Sequence, residues 1–479
     1  MPLALLEALT PTGELDVSHV THVPGWVTAV FGLLLALMIL ALAFEEKIHA
    51  KKSIIVGGFA FVCVLLETVL GYFLGESFVP FGDVTLPDRH TVNMPVYIPA
   101  IDWGVITIIL GASLFVEVAS KSGVFSWMAI KVTKLSGGDP WRLLVAYGLL
   151  TVLFSAVLNN VTAMIIIGSL TAVSLKKLGR GDLMLGFLLV EGLLTNVGGL
   201  LTLISSVPNI IVGKAAGISF VRFFVVAAPY VAVATAVTLV MGRFLFGIKG
   251  LKTAEEKAAA KTQVEAFNEA EGIESARFFW FSVGALAAFI ATLSLKDQLP
   301  FGLAQLDMGF FAMFYAAVML LAYKSKVDKF YATVDWDLLA FFAALFVVIN
   351  MMEHAHVLEA IGGAIEQVLA LPERAASGVL LTASAVASSV TDNIPLAAML
   401  AKILAGLDTD ADSPFWWCVI FGANLGGNIT PIGSASTVVA MTIIHRNQIP
   451  LTFGQFVVKA LPFAAVQIVL AIAYVVLFV

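Results

Sequence analysis

Two short polar pairs interrupt apolar sequence and set the chemistry to be explained: Asn159-Asn160 and Asp392-Asn393. Each lies at the middle of an apolar stretch, 141–175 for the first and 372–402 for the second. A carboxylate within a membrane is expensive, so Asp392 is a functional group by default. Such a group binds sodium when ionised and carries a proton when neutral, which suits it to exchanging the two. Its counterpart is Asn159, so the two positions are not equivalent.

Further polar residues gather into two clusters. The first holds Asn159, Asn160 and Thr162 with Asn196, Thr202, Ser205, Ser206 and Asn209. The second holds Asp392 and Asn393 with Asn424, Asn428, Thr430, Ser434, Ser436 and Thr437. Both include a glycine-rich interruption, Gly198-Gly199 and Gly426-Gly427, where an unwound helix exposes backbone N–H and C=O groups that suit an ion. Sodium, as substrate or coupling ion, is expected at Asn160, Asn196, Asp392, Asn393 and Asn424. Glu191, one turn before Thr195, joins Asp392 as a candidate for proton coupling. No Lys or Arg lies beside either pair in the sequence, which favours a cation over an organic dianion.

Simpler readings account for part of this set. Glycines permit close helix packing, and hydroxyls bond to the preceding turn. A carboxylate at Asp392 can be held by its own hairpin's N–H groups alone. His354 and His356 are spaced i, i+2, which does not converge on a helix face, so no zinc site is expected. Glu353 falls near the end of its span, and Glu117 lies in register with Asn350 rather than with a second acid. Cys63 and Cys418 are both in apolar segments and imply neither a disulfide framework nor a metal site. The absence of a nucleotide-binding loop, dinucleotide fingerprint or nucleophile elbow argues against an enzyme, against ATP drive within this chain, and against any organic cofactor.

The elements that must position these residues are membrane helices. Charged residues make up 13% of the chain, about half the ~25% of a soluble domain. Apolar runs near the ~20 residues that cross hydrocarbon recur at 26–45, 54–73, 101–120, 183–213, 218–242, 276–294, 304–323, 334–352, 414–443 and 456–478. Residues 1–25 carry no positively charged leader and do not read as a cleavable signal.

Loop charge orients the spans. Lys47, Lys51 and Lys52 place the first short loop in the cytoplasm, and Lys131, Lys134, Arg142, Lys176, Lys177 and Arg180 follow on the same side. The two interrupted stretches then enter and leave on one side each, as re-entrant hairpins. Segment 243–275, rich in Ala, Glu and Lys, reads as a partly helical cytoplasmic linker. The organisation is thus an N-terminal segment (1–25), peripheral helices and an outer loop (26–100), a first repeat (101–242), the linker, scaffold helices (276–333) and a second repeat (334–479).

The repeats are legible as matched motifs. Ile101-Asp102-Trp103 matches Val334-Asp335-Trp336 at an offset of 233, and the same offset carries Asn159-Asn160-Val161 onto Asp392-Asn393-Ile394. After a small length change, Thr195-Asn196-Val197-Gly198-Gly199 matches Ala423-Asn424-Leu425-Gly426-Gly427. The loop assignment runs the two copies in opposite directions, the arrangement of an alternating-access transporter. The expected fold is an all-α polytopic membrane protein of two inverted repeats with re-entrant hairpins and broken helices.

These motifs resemble the ion transporter superfamily of NhaD-type sodium/proton antiporters, arsenite permeases, the P protein and the citrate and dicarboxylate carriers. The resemblance covers about residues 24–479 and also rests on Ser205-Ser206-Val207-Pro208-Asn209 and Thr391-Asp392-Asn393-Ile394-Pro395. It implies a scaffold domain, a mobile transport domain of hairpins and broken helices, substrate between the two tips, and a homodimer in the plasma membrane of a prokaryote. Its partners would be small inorganic ions and the lipid bilayer, with no nucleic acid. The function expected from sequence is sodium/proton antiport; the alternative is transport of an anion or metalloid such as arsenite, silicate or a carboxylate.

Overall fold

A computed structural model describes residues 23–74, 79, 82–85, 91–94, 97–270, 272–323 and 327–479. The N-terminal segment before residue 23, most of the loop at 74–100, and Lys324 and Lys326 lie outside these.

The chain begins with α1 (Gly25–Ala43), α2 (Glu45–Ile48) and α3 (Lys52–Leu74). A small antiparallel ribbon follows, β1 (Gly82–Thr85) with β2 (Thr91–Met94), paired Gly82 to Met94 and Thr85 to Thr91. Then come α4 (Tyr97–Ala100), α5 (Trp103–Ser120), α6 (Val124–Leu135), α7 (Pro140–Val157) and α8 (Asn160–Lys177). The first half closes with α9 (Met184–Gly198), α10 (Val207–Ala215) and α11 (Phe220–Leu245). Between the halves stands α12 (Ala254–Glu265). The second half contains α13 (Ala276–Leu295), α14 (Met308–Ala322), α15 (Val327–Thr333), α16 (Trp336–His354) and α17 (Val357–Leu369). It ends with α18 (Glu373–Val390), α19 (Asn393–Gly406), α20 (Pro414–Gly426), α21 (Ala435–Arg446) and α22 (Phe453–Phe478).

Nine of the described helices are long and apolar enough to cross a bilayer, and the chain is a multi-pass, all-helical membrane protein apart from the ribbon. Two of the long apolar runs, those with the glycine-rich interruptions, are broken helices. Residues 183–213 form α9 and α10 with an irregular stretch between them, and 414–443 form α20 and α21 in the same way. Glycine explains the break: Gly198-Gly199 and Gly426-Gly427 end the first arms, and Pro208 starts α10 where its missing N–H costs nothing. Both interrupted apolar stretches are helical pairs. Asn159 accepts from Val161 N at 2.8 Å to start α8, and Asp392 accepts from Ile394 N at 2.9 Å to start α19.

The sequence repeat recurs contact by contact. Asp102 caps α5 through Val105 N at 3.1 Å, and Asp335 caps α16 through Leu338 N at 2.9 Å. Trp103 Nε1 donates to Ile98 O as Trp336 Nε1 donates to Tyr331 O. Ser155 Oγ donates to Thr195 O and Ser388 Oγ to Ala423 O, both at 2.6 Å. Even the two 26-residue helices agree: α11 contains Pro229 and α22 contains Pro462, the tenth residue of each.

Packing interlaces the halves. α5 lies against α14, and α16 against α3. α10 leaves its own half to pack on α19 and α20, while α21 packs on α8 and α9. Close approach depends on small residues: a Cβ on Gly111 of α5 would stand 2.5 Å from the Ala312 backbone of α14.

Candidate functional site

At the crossing of the two broken helices, uncharged amides and hydroxyls meet across the halves. Asn196, near the end of α9, donates through Nδ2 to Asn428 Oδ1 at 2.8 Å and to Ser434 Oγ at 2.9 Å. Its Oδ1 accepts from Ser436 Oγ at 3.1 Å and from Asn160 Nδ2 at 3.5 Å. All four hydrogen-bonding positions of that amide are thereby used. On the opposite side, Asn424 of α20 accepts from Ser206 Oγ at 2.8 Å and donates to Asn209 Oδ1 at 2.9 Å. Asn209 Nδ2 in turn satisfies the free carbonyls of Gly199 and Thr202 at the first break.

Burial is nearly complete for Asn196, Asn209, Asn424 and Asn428, where an unmatched amide would be costly. The exchange is crosswise. Each first arm's asparagine contacts the serine that begins the other half's second arm, Asn196 with Ser434 and Asn424 with Ser206.

Other expected residues serve their own half. Thr202 Oγ1 donates to Ala156 O, and Thr430 Oγ1 to Ser389 O, tying each break to its hairpin. Ser205 bonds the carbonyls of Gly199 and Thr202. Asn159 is exposed and acts as a cap, while Thr162 and Asn393 are half-buried. The five residues named for sodium do not all meet: Asn160 reaches Asn196, but the side-chain partners of Asp392 lie elsewhere.

Those partners correct one expectation. The absence of a basic residue from either tip does not hold in three dimensions. Lys52, the first residue of α3, places Nζ 2.5 Å from Asp392 Oδ2 and 3.8 Å from Glu45. Sequence placed Lys52 in a loop; a contact across 340 residues carries no local signal. Lys52 also lines an open cleft of about 600 Å³, with Glu45, His49, Asp335, Asp337 and Ala435. Ala435 follows Ser434, so the cleft reaches the start of α21 and stops one residue from the amide network. Asp337 accepts from Ser53 Oγ beside it.

Glu191 is fully buried, but on the seam between α8 and α9. Its Oε1 accepts from Thr171 Oγ1 at 2.7 Å, and its Oε2 has no partner among the described residues. Glu117 pairs with Lys121 and Glu353 with Lys402. Among the described residues no three His, Cys, Asp or Glu side chains cluster as a metal site.

Three further site residues escaped the sequence reading. Gln467 of α22 accepts from Asn428 Nδ2 at 2.8 Å and donates to Thr238 Oγ1 of α11 at 2.9 Å, extending the network into both long helices. A lone buried glutamine in a 26-residue apolar helix was the available signal. Ser155, which donates to Asn160 Oδ1 at 2.5 Å, and Ser388 were also legible as a pair at the 233-residue offset.

A family model described as "Citrate transporter", CitMHS, matches residues 26–420. An uncharacterized transporter of Mycobacterium tuberculosis (strain ATCC 25618 / H37Rv) is 32% identical over 384 residues, covering 78% of this chain and 86% of that protein. The P protein of Homo sapiens is 24% identical over 516 residues, covering 92% of this chain and 61% of its own length. Among solved structures, the YdaH transporter of Alcanivorax borkumensis aligns with a TM-score of 0.60 at 15% identity, covering 90% of this chain and 98% of that one. MtrF of Neisseria gonorrhoeae, described as illuminating a class of antimetabolite efflux pumps, aligns at 0.55 and 13% identity, covering 90% and 95%. The last two likenesses concern fold alone.

Proposed function

This chain belongs to the CitMHS citrate transporter family, and from that premise we propose that it moves small carboxylate anions coupled to a cation. It is a secondary active membrane transporter: the family is described as a citrate transporter, and the Mycobacterium tuberculosis relative is named a transporter. Sodium/proton antiport, the function expected from sequence, gives way here to the anion alternative. Two findings support the change: the family, and the Lys52 ammonium at the second hairpin tip.

The observation that carries the reading is the set of helix starts at the crossing. Ser206 and Ser434, the N-caps of α10 and α21, hydrogen-bond across to Asn424 and Asn196, and Asn160 begins α8 beside them. α19 packs on α10. Helix N-termini direct partial positive charge and free N–H groups at whatever lies between them, which suits an anion. The Ser206 side chain accepts no cap bond from α10; Pro208 has no N–H and Asn209 N donates to Ser206 O, so the Val207 N–H is the one left available among the first three residues of that helix.

In the proposed cycle the two repeats are inverted, the helical pairs α7–α8 and α18–α19 are re-entrant hairpins, and the network lies at mid-membrane. Sodium or a proton enters with the anion and balances its charge, with Asp392 and Glu191 as the carboxylates able to hold it. A homodimer in a prokaryotic inner membrane, with the 243–275 linker cytoplasmic, completes the proposal.

Uptake of radiolabelled citrate, malate and succinate into proteoliposomes, under imposed sodium or proton gradients, tests it. Gradient-dependent accumulation of at least one is the expected result. Sodium-dependent proton flux with no uptake of any of the three restores antiport.

A further inference from the structure

We propose that Lys52 and Asp392 form a substrate-released latch, in which Asp392 occupies the ammonium that a substrate carboxylate takes when it enters. This inference rests on the carboxylate reading above and adds to it a residue pair and a coupling step.

The geometry supplies each part. Lys52 Nζ lies 2.5 Å from Asp392 Oδ2, while Asp392 Oδ1 accepts from Ile394 N at the start of α19. The pair thus ties the first residue of α3 directly to the tip of the second hairpin. The Asp392 side chain is 12% exposed and that of Lys52 is 31% exposed, so the ammonium faces the cleft that ends at Ala435. The first hairpin has no such latch, because its equivalent residue, Asn159, is an exposed uncharged cap.

A carboxylate arriving in the cleft meets one organised cation whose present partner is another carboxylate. Exchange costs little at Lys52, because one oxygen anion replaces another. It leaves Asp392 charged, half-buried and without its cation. Asp392 then takes up one cation, a proton or a sodium ion, from the same cleft. Every charged group around the pair bears on this balance. Glu45 lies 3.8 Å from Lys52; Asp337 of α16 accepts from Ser53; Asp335, His49 and Lys51 line the cleft. The acids outnumber the bases there, so Lys52 is retained by its neighbours while Asp392 is the group set free. One carboxylate in requires one cation in, and the hairpin tip is released from α3 in the same event.

The test is amine labelling read by mass spectrometry. Purified protein in detergent is treated with an amine-reactive acetylating reagent, with and without citrate, in sodium or in choline buffer, across pH. Labelling at Lys52 is compared with that at Lys402, which pairs with Glu353 away from the cleft. Asp392→Asn is expected to raise basal labelling of Lys52 about tenfold; citrate, which takes the place of Asp392 and also covers the side of the ammonium now exposed to the cleft, is expected to protect Lys52 by about tenfold relative to Lys402. Sodium-dependent protection assigns sodium as the cation; protection that strengthens as pH falls, equal in choline, assigns a proton.

Lys52→Arg, which keeps the charge, retains citrate uptake better than Lys52→Met. Citrate transported by the wild type with no effect on Lys52 labelling overturns the latch and leaves the carboxylate reading intact. Protection without transport supports the latch and overturns the reading. Neither transport nor protection overturns both.

Discussion

Asn196 and Asn428 stand 232 residues apart in the chain and 2.8 Å apart in space, and their bond joins the last turn of α9 to the irregular stretch that follows α20. Truncating either leaves buried amide or hydroxyl partners unmatched, at about 1–3 kcal/mol each. Asn196→Ala and Asn428→Ala are expected to lower the thermal midpoint and reduce transport by more than ~tenfold. Because the residues touch, the double variant will lose less than the sum, with a coupling of about 0.5–3 kcal/mol. Thermal unfolding and proteoliposome uptake measure this; strict additivity would place the two amides in separate networks.

Glu191 offers a carboxyl oxygen with no described partner inside an otherwise satisfied seam. Glu191→Gln keeps a group of the same shape and an acceptor for Thr171 while removing titration. Uptake by this variant is expected to lose its dependence on external pH at unchanged protein stability. A wild-type pH profile would remove Glu191 from coupling and leave that task to Asp392.

The seats of the broken helices are sterically filled. A Cβ on Gly198 would stand 2.7 Å from Val152 Cα, and one on Gly426 would stand 2.7 Å from Ser388 Cβ and press on Ala385 O. Gly198→Val and Gly426→Val are therefore expected to destabilise by about 1–3 kcal/mol each. Gly284, around which the structure leaves space, serves as the control position.

Glu269 ties the linker to α6 through Lys134 at 3.2 Å and Lys131 at 3.4 Å. The Lys134 hydrogen bond, followed by that from Lys131, holds its carboxyl below the usual glutamate range. A lowered folded value means the tie is fully present above the ordinary glutamate pKa of about 4.3 and is lost as pH falls through the folded value. Relative to its intrinsic rate, hydrogen exchange in 266–275 is expected to accelerate over that acid window in the wild type. In Glu269→Gln it is fast throughout, and a flat wild-type profile would show that the ion pairs do not hold the linker.

Much of this arrangement was legible before the fold was seen. Asn159 and Asp392 announce the starts of α8 and α19 because a capping side chain amid apolar residues marks a helix start, and the glycine pairs mark the breaks because a helix ends cheaply there. What stayed hidden was partnership. Lys52 reads as loop charge until α3 is packed against α16, beside which the cleft and Asp392 lie. Glu191 reads as site-facing from its spacing to Thr195, whereas rotation about the α9 axis turns it toward Thr171. Periodicity assigns residues to helices, but the face each helix presents is decided by neighbours hundreds of residues away.

The exchanged seating of α10 and α21 constrains how the molecule is made. When the ribosome has delivered only the residues up to α12, α10 can meet α5 but not α19 and α20, against which it packs most extensively. The buried amides of the first break then await partners that arrive near the end of synthesis. Until then Asn196 lacks Asn428, Ser434 and Ser436, and Ser206 and Asn209 lack Asn424. Separately expressed halves are useful only to each other.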